Sequence, residues 1–167
     1  LEKLRDQLEH RLDILTDGYT DFPARHQALR SAFQWSCDHL EDNELRLFPR
    51  LGVFSGGFTL EAVEGICSTG ETRGALNGLV EKSMVYVVDE ARYNMLETIR
   101  EYAMELLELT GEAASTRLAH LEYFAYLVET AEPHLWDQEQ EVWRRRVTAD
   151  QDNIRAALRW SLERPAS

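Results

Sequence analysis

The chain has 167 residues, 44% hydrophobic and 29% charged, with four Trp, six Tyr and six Phe, enough apolar surface to build a core and to argue against disorder. Glycine and proline are sparse, nine and four copies, which favours helices over a turn-rich β sandwich. A net charge of −12 opposes a nucleic-acid or anionic-lipid surface on average, and no apolar run reaches membrane-spanning length, so the expected setting is cytoplasmic.

Leu4, Leu8, Leu12 and Leu15 recur at helical spacing until Asp17-Gly18 stops the pattern. The chain opens at Leu1 inside that charged helical pattern, which predicts a segment of a longer polypeptide. Pro23, at a first helical position, starts a second amphipathic helix to Leu40, with Leu29, Ala32, Phe33, Cys37 and Leu40 on one stripe. After Glu41-Asp42 a short helix carries Leu45, Leu47, Phe48 and Leu51, and Pro49 inside it predicts a kink or an early end. Ser55-Gly56-Gly57 is a turn, and Thr59 is placed to cap a helix over 60–67. A third helix, about 71–82, holds Leu76, Leu79 and Val80.

The period then changes. Met84 to Val88 is β-branched and aromatic, 89–91 is a turn, and 92–96 alternates polar with apolar, so residues 84–96 read as a β-hairpin. Helical spacing resumes with Ile99, Tyr102, Ala103, Leu106 and Leu107 and ends at Gly111. Beyond it, Leu118, Leu121, Phe124, Ala125 and Val128 predict one helix ended by Pro133. Asp137 with Gln140, and Thr148 with Gln151, resemble capping boxes of two more, the last with Ile154, Ala157, Leu158, Ser161 and Leu162 on one side. Three short helices, a hairpin and a further helix are the order of a winged helix-turn-helix. The expected fold is mainly α: a winged helix with one hairpin wing, between an N-terminal helix and a C-terminal helical, TPR-like segment.

Little catalytic chemistry is visible. No phosphate-loop motif occurs around the glycines, and none of the five histidines has a second ligand at metal-site spacing. Cys37 and Cys67 lie in apolar helical surroundings and read as buried thiols. Glu97, Glu101, Glu105 and Glu108 form a solvated helix face, and Arg144-Arg145-Arg146 is a solvated helix end among acids. The expectation is a non-enzymatic chain that holds no cofactor or metal of its own.

The run from Arg92 to Ala103, RYNMLETIREYA, carries a family likeness, supported by Asp21-Phe22-Pro23, Trp35-Ser36, the stretch from Leu51 to Ala62, Leu79 to Ser83, and Asp152 to Leu158. It resembles the winged-helix region of STAND-class (NB-ARC-like) signal-transduction ATPases, a group that includes bacterial LuxR-family regulators. The resemblance implies that residues 1–16 end a small helical domain, 17–111 form the winged helix, and 112–167 begin a helical sensor arm. It further implies an ATP- or ADP-binding domain elsewhere in the polypeptide as the winged helix's intramolecular partner, and a possible protein partner on the C-terminal helices. A Met-His-Asp motif that reads nucleotide phosphates aligns with Met95, Leu96 and Glu97, but leucine donates no hydrogen bond, so that role does not transfer to position 96. Leu96 is expected in the core, and Glu97 as a first-turn helix stabiliser.

The alternative function is a winged helix that binds DNA itself. Arg73, Asn77, Lys82 and Arg92 are then the contacts. Against it, Glu71 and Glu81 nearly cancel the third helix's charge, and the wing tip carries Asp89 and Glu90. The favoured expectation is a coupling module with no nucleic-acid partner and no membrane.

Overall fold

The computed structural model describes residues 33–67, 70–89 and 91–163. The predicted helix over 1–16 and most of the one over 23–40 lie outside these residues; of the latter, 33–37 are helical. Then follow α1 (Asp42–Leu51), β1 (Phe58–Thr59), α2 (Leu60–Cys67), α3 (Thr72–Glu81), β2 (Tyr86–Asp89), β3 (Arg92–Asn94), α4 (Glu97–Thr110) and α5 (Ala113–Ala131). A 3-10 turn, Glu132–Trp136, leads into α6 (Gln140–Ala149) and α7 (Gln151–Glu163). The strands form an antiparallel sheet in the order β1-β3-β2.

Local chemistry explains the boundaries. Pro49 does not kink α1 midway; it sits in the last turn, and the helix stops at Leu51. Gly52 follows because α4 passes close by: a Cβ there would lie 2.7 Å from the Met104 backbone nitrogen. Thr59 caps α2 as its spacing predicts, its Oγ1 accepting the Ala62 N–H at 3.2 Å. The same residue also pairs in β1, a strand of two residues that periodicity could not announce. In the wing, Tyr86 pairs with Asn94 and Val87 with Tyr93, but Asp89 with Arg92, so Val88 is the extra residue of a bulge. Gly111, at φ 76°, takes the left-handed conformation that closes α4.

Leu47, Phe48, Leu51, Val63, Leu76, Leu79, Val85 and Leu107 are all essentially inaccessible and bind α1 to α4 and the base of the wing. Each such side chain contributes about 1.5–3 kcal/mol of burial. The core continues without a break into the C-terminal helices through Phe54, Phe58, Phe124 and Ala157.

Two stripes differ from expectation. Helix α5 buries Thr116, His120, Phe124, Leu127 and Ala131, and leaves Leu118 and Val128 outside. Helix α7 buries Asn153 and Ala157 and exposes Leu158 and Leu162. In both, small or polar residues take inward places where backbones approach, and Leu118, Val128, Leu158 and Leu162 are turned outward. The expected Thr148–Gln151 cap does not form, because Thr148 is still inside α6 and Asp150 joins the two helices.

A buried carboxylate ties α1 to α3. Glu44 is 3% exposed, and its carboxylate accepts the Glu41 N–H at 2.7 Å and Lys82 Nζ at 2.6 and 2.8 Å. Gly78 makes room, since a Cβ at that position would overlap the Glu44 carboxylate. Gly78→Ala should therefore destabilise the chain by about 1–3 kcal/mol despite alanine's better helix propensity. Urea unfolding of the two proteins measures it; an unchanged or raised midpoint would contradict this account of the packing.

Candidate nucleic-acid interface

A helix-turn-helix made by α2 and α3, with a hairpin wing behind it, presents three surfaces to a ligand: the start of α3, its outer face, and the wing. At the start of α3 an open recess is lined by Glu64, Gly70, Glu71, Thr72, Arg73 and Gly74. Two carboxylates there face one guanidinium, a weak invitation to a phosphate.

The four sequence-predicted contacts divide into two pairs. Arg73 and Asn77 are exposed on α3, and neither makes a hydrogen bond or ion pair among the described residues. Lys82 is turned inward onto Glu44, with both carboxylate oxygens within hydrogen-bond reach. Arg92, the only cation of residues 84–96, is 16% exposed and reaches across to the C-terminal helices. Its Nη1 and Nη2 each donate to Asp150 Oδ1 at 3.0 Å, and Nη2 also donates to the Ala149 carbonyl at 3.0 Å.

Sequence reading missed the residues that hold Arg92's partner. Asn153 is fully buried; its Oδ1 accepts the Ser55 N–H at 2.7 Å, and its Nδ2 donates to the Gly57 carbonyl at 2.8 Å and to Asp150 at 3.3 Å. A single amide thus ties α7 to the turn before β1. Gly57 belongs to that turn for two reasons: its φ is +92°, and a Cβ would meet the Tyr93 carbonyl at 2.8 Å. On the outside, Arg146 pairs with Glu61 of α2 at 2.8 Å and lies over the Trp143 ring. The other two arginines of that run, Arg144 and Arg145, are exposed and paired with Glu141.

At the junction of wing and α4, Met95 is buried and Leu96 is not. Leu96 is 59% exposed at the N-cap of α4, which corrects the expectation of a core leucine. Strand alternation is the reason: Met95 takes the inward place, so its neighbour faces out. Glu97 sits in the first turn of α4 and pairs with Arg100, whose guanidinium lowers the carboxyl pKa. Arg100 also donates to the Gly52 carbonyl at 3.2 Å, anchoring α4 to the end of α1.

Both cysteines are buried, and burial pushes each thiol up to about 12, so neither is a nucleophile near neutral pH. No group of three His, Cys, Asp or Glu side chains able to hold a metal occurs among the described residues. No described helix is long and apolar enough to cross a membrane.

The arrangement α1-β1-α2-α3-β2-β3 with sheet order β1-β3-β2 is that of a winged helix-turn-helix. Residues 40–108 match the family model described as "Winged helix-turn-helix domain". Proteins of Mycobacterium tuberculosis and Mycobacterium bovis, each named "Putative HTH-type transcriptional regulator", are 34% identical over 169 residues, covering 96% of this chain and 19% of their own length. An uncharacterized protein of Mycobacterium tuberculosis is 36% identical over 96 residues, covering 52% of this chain and 24% of its own. The chain thus spans about a fifth of the length of the first of these relatives. No solved structure matches it.

His120 gives the union of the winged helix with α5 a pH signature. Its ring packs between Phe54, at 5.6 Å, and Phe124, at 4.7 Å. Burial pushes its pKa down to about 4, an effect that the neighbouring Asn153 amide offsets only in part. A histidine held neutral in the fold and free to charge when unfolded contributes stability above the unfolded pKa, near 6.5. That contribution is lost as pH falls toward 4. Between pH 7 and 5 the loss should be about 2 kcal/mol. Urea unfolding at both pH values should show it in the natural chain and not in His120→Gln; equal losses in the two would refute the assignment.

Proposed function

We propose that this chain is the winged-helix part of a transcriptional regulator, held in an arrangement in which its own grip on duplex DNA is weak. The class of function is supported by the relatives named as HTH-type regulators. The weak grip rests on one observation: of the four candidate contacts, Lys82 and Arg92 are spent on Glu44 and Asp150. Arg73 and Asn77 remain, set beside Glu71 and Glu81 on an acidic chain.

Binding to duplex is driven by phosphate neutralisation, so two free polar residues on α3 give a shallow salt dependence. At physiological salt a fluorescence-anisotropy titration with short duplexes should give dissociation constants weaker than about 1 μM. A tighter, salt-sensitive complex abolished by Arg73→Ala would instead make the chain, as it stands, a direct reader of DNA.

A second reading is an intramolecular coupling module of an ATP-dependent regulator, with the winged helix packed on a nucleotide-binding domain. Exposed Leu96 and Glu97 at the wing–α4 junction favour it as an uncovered surface on which a neighbouring domain can pack, without a phosphate-reading role for the leucine. In that role the chain needs its partner domain to hold the ligand. Titration calorimetry of the chain with ATP or ADP should show no dissociation constant below about 100 μM. Tighter binding would mean that the chain holds nucleotide unaided and would remove the coupling role.

A further inference from the structure

We infer that the C-terminal helices restrain the winged helix by occupying, with Asp150, the wing cation that a DNA phosphate would otherwise take. The inference rests on the reading above that the chain serves DNA regulation, and adds how access to DNA is controlled.

The geometry at Arg92 is that of an anion site already filled. The guanidinium makes two contacts with one carboxylate oxygen and a third with the last carbonyl of α6. That carbonyl lies at the negative end of a ten-residue helix, where a cation is favoured. Asp150 is only 8% exposed and is braced by Asn153, so the carboxylate is presented in place. With Arg92 itself largely covered, a phosphate cannot be added to this cluster; it must replace Asp150.

The rest of the contact follows the same plan. Asn153 holds the Ser55–Gly57 turn, and Arg146 holds Glu61 on α2, the first helix of the helix-turn-helix. The α6–α7 pair therefore grips the wing, the turn before β1, and α2 by polar groups. Displacing the pair exchanges partners for Arg92 at the wing and also draws Ala157, with the partly buried Trp143 and Ile154, out of the shared core. Asp150 and the duplex then compete for one guanidinium, and whatever draws α6–α7 away frees the wing.

The test uses the full chain and a fluorescein-labelled 20-base-pair duplex titrated between 50 and 200 mM salt. Asp150→Asn keeps the shape and removes the charge. It should bind about five-fold tighter at 50 mM, with a salt slope steeper by about 0.9, the value of one added phosphate contact. Adding Arg92→Ala to Asp150→Asn should cancel both changes. Hydrogen exchange should meanwhile rise at the β3 amides of Asp150→Asn. If the natural chain binds through Arg73 and Asp150→Asn binds no tighter, the restraint is refuted while the DNA reading stands. If neither binds at 50 mM although β3 exchange has risen, both fall. Should Asp150→Asn fail to fold, Glu61→Gln cuts the exposed bridge to Arg146 and is judged by the same gain in affinity and its dependence on Arg92.

Discussion

A single buried carboxylate sets the geometry on which the winged helix depends. Glu44 lies where α1 crosses α3, and a charge taken out of water must be matched there or it destabilises the fold. Lys82 supplies the match, Gly78 supplies the space, and the Glu41 N–H supplies a further hydrogen bond. These requirements fix the rotation and height of α3 on α1, and so determine which of its residues face outward. They also commit the half-buried Lys82 ammonium to Glu44, so the electrostatic character of the third helix follows in part from a demand of the core.

The same trade recurs at the wing. Arg92 could be a free cation on a protruding hairpin; instead the C-terminal helices take it, and the fold gains a bond between elements 58 residues apart. Phe54, His120 and Phe124 supply the apolar part of that union, and Asn153 the polar part. The winged helix and its C-terminal helices therefore share one core, and Lys82 and Arg92 are both engaged within the fold.

Local patterning carried much of this fold. The shift from 3.6-residue to 2-residue periodicity at Met84 marks the wing, Thr59 marks the start of α2, and Gly111 marks the end of α4. What the sequence left hidden are the features decided by partners far along the chain. Glu44 looks like any first-turn acid until Lys82 and Gly78 are set against it, and β1 exists only because β3 passes beside it. Asn153 and His120 are polar residues on apolar stripes, and their burial follows from the packing of α5 on α7 and on Phe54. Leu96 is expected in the core where the wing meets α4, but Met95 fills that inward place and Leu96, at the N-cap, faces out. Of the four candidate contacts, sequence alone could name the charges but not tell the free from the occupied.

The bulge at Val88 bears on how the molecule behaves at high concentration. β2 is one of the two edge strands of the sheet, and Tyr86, Val87 and Val88 are all exposed there, the kind of apolar border that recruits a strand from a neighbouring molecule. Four residues give little to template on, and the extra residue at Val88 breaks the hydrogen-bonding repeat before it can extend. Asp89 then places a carboxylate at the tip. A hairpin that must protrude is in this way made a poor seed for edge-to-edge association, its irregularity serving colloidal stability as well as shape.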